Sequence, residues 1–94
     1  DKTGKTPLLW AVRSRKHAVV SHLLTRGANP NLADNSNVTP LFWAVRVRRP
    51  ELVSQLLAKG ADIGHKDKNG RTALDHARDE TVIAILRRYA SEKE

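Results

Sequence analysis

Four histidines, ten acidic side chains and seventeen lysines and arginines are the groups in this 94-residue chain that could do chemistry. Their spacing decides what kind. His17 and His22 stand five apart, poor spacing for one helical face, and no cysteine or acidic partner completes a metal set around them. Asp75 and His76 are adjacent, so a helix would point them to different faces. No Ser-His-Asp arrangement, phosphate-cradling glycine loop or pair of carboxylates stands out. Each histidine therefore reads as structural. Neither a metal nor a cofactor is expected, and the chain is not expected to be an enzyme.

What does recur is tryptophan beside arginine. Trp10 and Arg13 return as Trp43 and Arg46, 33 residues on, and His76 continues the tryptophan column. Guanidinium groups bind carboxylates or phosphates in a bidentate fork, and tryptophan is favoured at the centres of interfaces. A formal net charge of +7 points the same way, towards acidic peptides, nucleic acid, phosphorylated ligands or lipid headgroups. Surplus lysine and arginine can also serve only to keep a small domain soluble, so the placement of the charges matters.

These groups sit on a chain that is 39% apolar and 29% charged, enough for a modest core of Leu, Val and Ala in one short domain. The absence of cysteine removes disulfides and thiolate chemistry and fits a reducing compartment, so a cytoplasmic or nuclear protein is expected. No apolar run approaches the length of a membrane span.

The tryptophan–arginine pairs belong to a longer internal repeat. Thr6-Pro7-Leu8-Leu9-Trp10-Ala11-Val12-Arg13 returns as Thr39-Pro40-Leu41-Phe42-Trp43-Ala44-Val45-Arg46, and Thr72-Ala73-Leu74-Asp75-His76-Ala77 follows at the same offset of 33. Gly27-Ala28-Asn29 returns as Gly60-Ala61-Asp62, and Asp1, Asp34 and Asp67 mark three starts. Thr6 and Thr39 stand where a helix N-cap belongs, each followed by a proline at the first helical position. Leu8, Ala11 and Val12 share one face of the first helix. Val19, Val20, Leu23 and Leu24 line a second, repeated as Leu52, Val53, Leu56 and Leu57, with Pro50 near its start. Gly27 and Gly60 stop the second helices, and the polar stretches 28–37 and 61–70 make the turns.

This pattern resembles the ankyrin repeat, a 33-residue unit carrying a Thr-Pro-Leu-His-x-Ala motif. The resemblance implies an all-α solenoid of helix-turn-helix units joined by β-turn or hairpin loops. It divides a single domain over 1–94 into repeats 1–33, 34–66 and 67–90, with a frayed tail at 91–94. The motif histidine is replaced by Leu9, Phe42 and Asp75, and the usual Gly-His between the helices by Arg15-Lys16 and Arg48-Arg49. After Ala77 the third repeat is expected to have about three residues fewer between its helices, and its outer face turns polar, as a terminal cap should. No such cap stands at the front. The array is therefore expected to begin before Asp1, as part of a natural longer chain, or to associate through its first helices.

In this family the turn tips and the end of the first helix commonly form a concave recognition surface. Carried over by position, that surface takes Lys2, Thr3, Lys5, Arg13 and Ser14; then Asn35, Ser36, Val38, Arg46 and Val47; then Lys68, Asn69, Arg71 and Asp79. Six of these are basic and only Asp79 is acidic. The candidate partner-binding set is Lys2, Lys5, Trp10, Arg13, Asn35, Val38, Trp43, Arg46, Lys68 and Arg71. Asn31 lies in a segment similar to ankyrin turns whose asparagine can be hydroxylated, though a turn asparagine also serves to stabilise its own backbone. The expected function is a protein-interaction module for an acidic or extended segment of a partner. The alternatives are binding of nucleic acid or a phosphorylated ligand, and a structural or regulatory segment of a larger protein.

Overall fold

The computed structural model describes residues 6–92, which form six helices. These are α1 (Pro7–Arg13), α2 (His17–Thr25), α3 (Pro40–Arg46), α4 (Pro50–Ala58), α5 (Ala73–His76) and α6 (Glu80–Glu92). Each odd helix packs on the even helix that follows it, and successive pairs stack, α1 on α3 on α5 and α2 on α4 on α6. The described residues contain no strand.

Helices of seven and nine residues are too short to be stable alone, so burial between pairs must supply the stability. Leu8, Ala11 and Val12 from α1 and Val20 and Leu24 from α2 meet Leu41, Ala44 and Val45 from α3 and Leu52, Val53, Leu56 and Leu57 from α4. Val82 and Leu86 of α6 close the far end. Each of the larger side chains contributes about 1.5–3 kcal/mol of burial. At the position of the motif histidine, Leu9 and Phe42 are fully buried. Asp75 is exposed and instead completes a capping box with Thr72.

The turns are tied down by side chains at equivalent positions. Asp34 Oδ1 accepts from the backbone N–H groups of Ser36 and Val38, and Asp67 Oδ1 from those of Asn69 and Arg71. Each tip closes through a left-handed residue, Asn37 (φ 62°) in one and Gly70 (φ 77°) in the other. Adjacent turns are also stapled together. Asn31 donates to Gly60 O and accepts from Asp62 N at 2.6 Å, so its side-chain amide joins two repeats, while its backbone N–H donates to Asn29 Oδ1 within its own turn. Asn37 donates to Lys66 O, and the His65 ring reaches Asn37 O at 2.9 Å.

Gly27 (φ 91°) and Gly60 (φ 93°) end α2 and α4, as their positions predict. The loops between paired helices use the same left-handed backbone without glycine, at Arg15 (φ 59°) and Arg48 (φ 56°). Crowding between Cβ and the carbonyl costs roughly 1–2 kcal/mol for such a residue.

Three sequence expectations change. The connection in the third repeat is no shorter than in the others, since Ala77–Asp79 matches Ser14–Lys16 in length; what shrinks is α5, four residues against seven in α1. The chain turns extended at Ala77 (ψ 131°), and Asp79 Oδ1 accepts from Thr81 N and Val82 N to start α6 at once. Helix α6 runs on through Ser91 and Glu92 of the expected tail at 91–94; Lys93 and Glu94 lie outside the described residues. Val19, assigned to the core by its spacing, is 39% exposed, whereas its counterpart Leu52 is fully buried. The reason is position in the stack. Leu52 has α2 in front of it, and Val19 has no described helix on that side.

Two contrasts test this account. Val19→Lys should change stability by less than about 0.5 kcal/mol, while Leu52→Lys should cost at least about 3 kcal/mol. Urea unfolding of both variants distinguishes them. The second contrast lies in the caps. Thr6 Oγ1 accepts from Leu9 N at 3.1 Å, but the buried Thr39 Oγ1 has no partner. Thr6→Val should lose about 1 kcal/mol, whereas Thr39→Val, which removes an unsatisfied group at nearly constant volume, should be neutral or stabilising in the same measurement.

Candidate functional site

The short first helices set the site because Trp43 and Arg46 are three apart on α3 and so share a face. Arg13, at the end of α1, approaches the same ring from the neighbouring repeat. The guanidinium carbon of Arg13 lies 5.2 Å from the Trp43 ring centroid, and that of Arg46 lies 5.0 Å from it. Both distances fall in the cation–π range, worth about 0.5–1 kcal/mol each at an exposed site. The indole is half-buried and its Nε1 is buried without a hydrogen-bond partner. Two guanidiniums are thus held against one ring with N–H donors at their edges.

The column of rings does not form a continuous row. Trp10 is 54% exposed, and no ring contact joins it to Trp43 among the described residues. His76 turns away to pack edge-on against Phe42 at 5.6 Å, while its Nε2 meets Asp67 Oδ2 at 2.9 Å. An ionised carboxylate can only accept, so Nε2 carries the proton in that bond. Phe42 receives His65 on another edge at 6.0 Å. The two histidines therefore serve packing and turn geometry.

Beside Arg46 an open groove of about 420 Å³ runs between the second and third turns, lined by Ser36, Val38, Arg46, Asp67, Lys68, Asn69 and His76. Five residues of the predicted surface, Ser36, Val38, Arg46, Lys68 and Asn69, meet here, three of them (Val38, Arg46 and Lys68) from the candidate partner-binding set. Asn35 and Arg71 are exposed on the two turns. Lys2 and Lys5 lie outside the described residues, as does Thr3. Asp79 caps α6 and does not line the groove. The acidic group that the sequence reading missed is Asp67, which lines the groove with both carboxylate oxygens bonded, to the Asn69 and Arg71 N–H groups and to His76. Its only sequence signal was its place in the Asp1, Asp34, Asp67 column, which marked repeat starts and gave no charge to the surface.

Among the described residues there are two ion pairs, His76–Asp67 and an exposed Arg88–Glu92 pair at 3.5 Å. Arg13, Arg46, Lys68 and Arg71 take part in neither. The described residues hold no group of three His, Cys, Asp or Glu placed to bind a metal. The arrangement can offer paired guanidiniums, an exposed indole and a groove.

Stacked helix pairs joined by stapled turns define a repeat solenoid. The sequence family described as ankyrin repeats (three copies) matches residues 1–67, and the chain belongs to that family. Among solved structures it is similar to the crystal structure of the ankyrin repeat domain of Bcl-3, described as a unique member of the IkappaB protein family. The TM-score is 0.88 at 37% identity, covering 92% of this chain; this chain spans 38% of the length of that one. The structural match thus extends the likeness past residue 67 into the third helix pair. No curated protein sequence matches the chain.

The His76 contact, followed by the backbone N–H of Arg71, holds the Asp67 carboxyl below the usual aspartate range. The Thr72 backbone N–H does the same for Asp75. Because both folded values are depressed, their stabilisation is complete above the ordinary aspartate pKa of about 4 and is lost as pH falls through and below it. Thermal melts from pH 6 to pH 2.5 should therefore show a drop in Tm at the acid end that is shallower in Asp67→Asn. An unchanged slope in that variant would remove Asp67 from the account.

Proposed function

We propose that this chain is a protein-interaction module whose first-helix face takes an acidic or extended segment of a partner. The observation that carries the reading is the Arg13–Trp43–Arg46 assembly, in which two guanidiniums without ion pairs among the described residues rest on one indole. Stacking restricts both arginines before a ligand arrives, which reduces the ordering cost of forming bidentate bonds to carboxylates or phosphates. Lys68, Arg71, Asn35 and Val38 would extend contact along the turns, and the exposed Trp10 would add apolar area in front. Ankyrin repeats in general bind other proteins, which supports the same direction.

Two further readings have an observation each. The exposed ring of Trp10 could stack on a base, with the arginines on phosphates. Self-association is favoured by the front of the stack, where Trp10, Val19 and Leu32 are the large apolar side chains left exposed. A small apolar recess of about 190 Å³ lies there, bounded by Pro7, Leu8, Leu23, Ala28 and Leu32 among others.

The test is a pull-down with the isolated chain, compared with the charge-reversed Arg13→Glu/Arg46→Glu form. Partners should be lost from the double variant while its helical circular dichroism stays unchanged. Retention of the same partners would refute the assignment of this face. A nucleic-acid ligand would instead show affinity falling linearly in log salt, with a slope set by the phosphates contacted. Self-association would appear as a concentration-dependent mass in sedimentation.

A further inference from the structure

Arg15 and Arg48 hold a backbone conformation that favours glycine, and they do so at equivalent places in successive repeats. The turn itself asks only for backbone. Arg15 N and Lys16 N donate to Val12 O and Ala11 O, and Arg48 N and Arg49 N donate to Val45 O and Ala44 O. The same left-handed geometry is supplied without strain by Gly27 and Gly60 at the ends of α2 and α4. Arg15, Lys16, Arg48 and Arg49 are exposed, and none joins an ion pair among the described residues. For folding alone, glycine would serve better at both left-handed positions. Strain retained twice for the same charged side chain points outward, to a ligand.

We infer that Arg15-Lys16 and Arg48-Arg49 form a dibasic pair of loops that docks an acidic polypeptide segment. The inference rests on the reading of the Arg13–Trp43–Arg46 face and continues it. Arg13 and Arg46 end the helices that these loops follow, so each repeat offers three cations in four residues, one set beside Trp43 on either repeat. Neighbouring helices lie roughly 8–10 Å apart, a gap that three extended residues span. The matching ligand carries Asp, Glu or phosphorylated side chains about three residues apart in an extended stretch. A polypeptide is favoured over nucleic acid because the ring column offers no open stacking row. Trp43 lies under two guanidiniums and His76 is bonded to Asp67, which leaves Trp10 alone.

Fluorescence anisotropy with labelled poly-L-glutamate, combined with thermal melts, tests this in four double variants. Arg15→Gly/Arg48→Gly should bind at least tenfold more weakly yet melt higher than the parent chain. Arg15→Lys/Arg48→Lys keeps the charge of the loops and should bind within about threefold of the parent. Arg26→Gln/Lys59→Gln, which removes as much charge at the opposite ends of α2 and α4, should also bind within threefold. If the glycine variant binds like the parent while Arg13→Glu/Arg46→Glu loses binding, the loops are not part of the site and the Trp43 face stands. If neither changes binding, or the parent does not bind, both readings fall. An equal loss in the Arg26/Lys59 control would reduce the effect to net charge and overturn the inference. Tighter binding of oligothymidylate than of polyglutamate, weakened by the same loop variants, would overturn the choice of polypeptide.

Discussion

Everything in this molecule depends on one constraint: no helix pair here can bury its apolar face alone. α1 and α3 are seven residues long and α5 is four, lengths at which hydrogen bonding within a helix does not offset the ordering of its backbone. Stability must come from contact between repeats, where Leu8, Val12, Leu41, Val45, Leu52 and Leu56 form one continuous layer. The turns obey the same rule. Asn31 and Asn37 bond across to the following turn, so their order also depends on a neighbour. Stacking therefore fixes both the core and the spacing of whatever projects from it.

That spacing creates the Arg13–Trp43–Arg46 assembly. Arg13 reaches Trp43 only because α1 lies beside α3, and the assembly of two cations on one ring spans a repeat boundary. It is a product of the array, absent from any single repeat. Trp10 shows the converse. It carries the same residue type in the same column with Arg13 three positions on, yet it is more than half exposed, since no described helix lies in front of α1. Identical local sequence gives a pinned ring in one repeat and an open one in the next.

Much of this was legible in the sequence because period and position suffice for it. The 33-residue offset placed the helices, the prolines, the glycine caps and the apolar columns, and these stand in the structure except at Val19. What period cannot convey is how columns differ at the ends and how side chains choose among neighbours. Val19 reads as core by spacing and is exposed for want of a neighbour. The short α5 was mistaken for a short loop, since a deletion in sequence does not say which element absorbs it. Asp67 was read as a repeat marker, and only its approach to His76 brought an acidic group into the groove. Tryptophan and arginine at a three-residue step did signal their contact; the second arginine came from a separate repeat and needed the stack.

The imperfections of the fold are not scattered at random around this surface. The two strained arginines flank it, the unpartnered Nε1 belongs to its central ring, and Thr39, whose hydroxyl is unpartnered, is the N-cap residue of the helix that carries that ring. In a 94-residue chain with a thin margin of stability, each such feature costs a sizeable share of the total. Packing alone would favour glycine in the loops, a cap hydrogen bond on Thr39 and acidic partners for Arg13 and Arg46. The first repeat has its cap bond at Thr6, and the third has a full capping box at Thr72, so the fold is able to satisfy the cap position. The repeat that lacks the cap bond is the middle one, where the arginines and the tryptophan converge. Local departures from what folding favours, gathered where unpaired charge is also gathered, are the pattern expected of a surface shaped by what it binds.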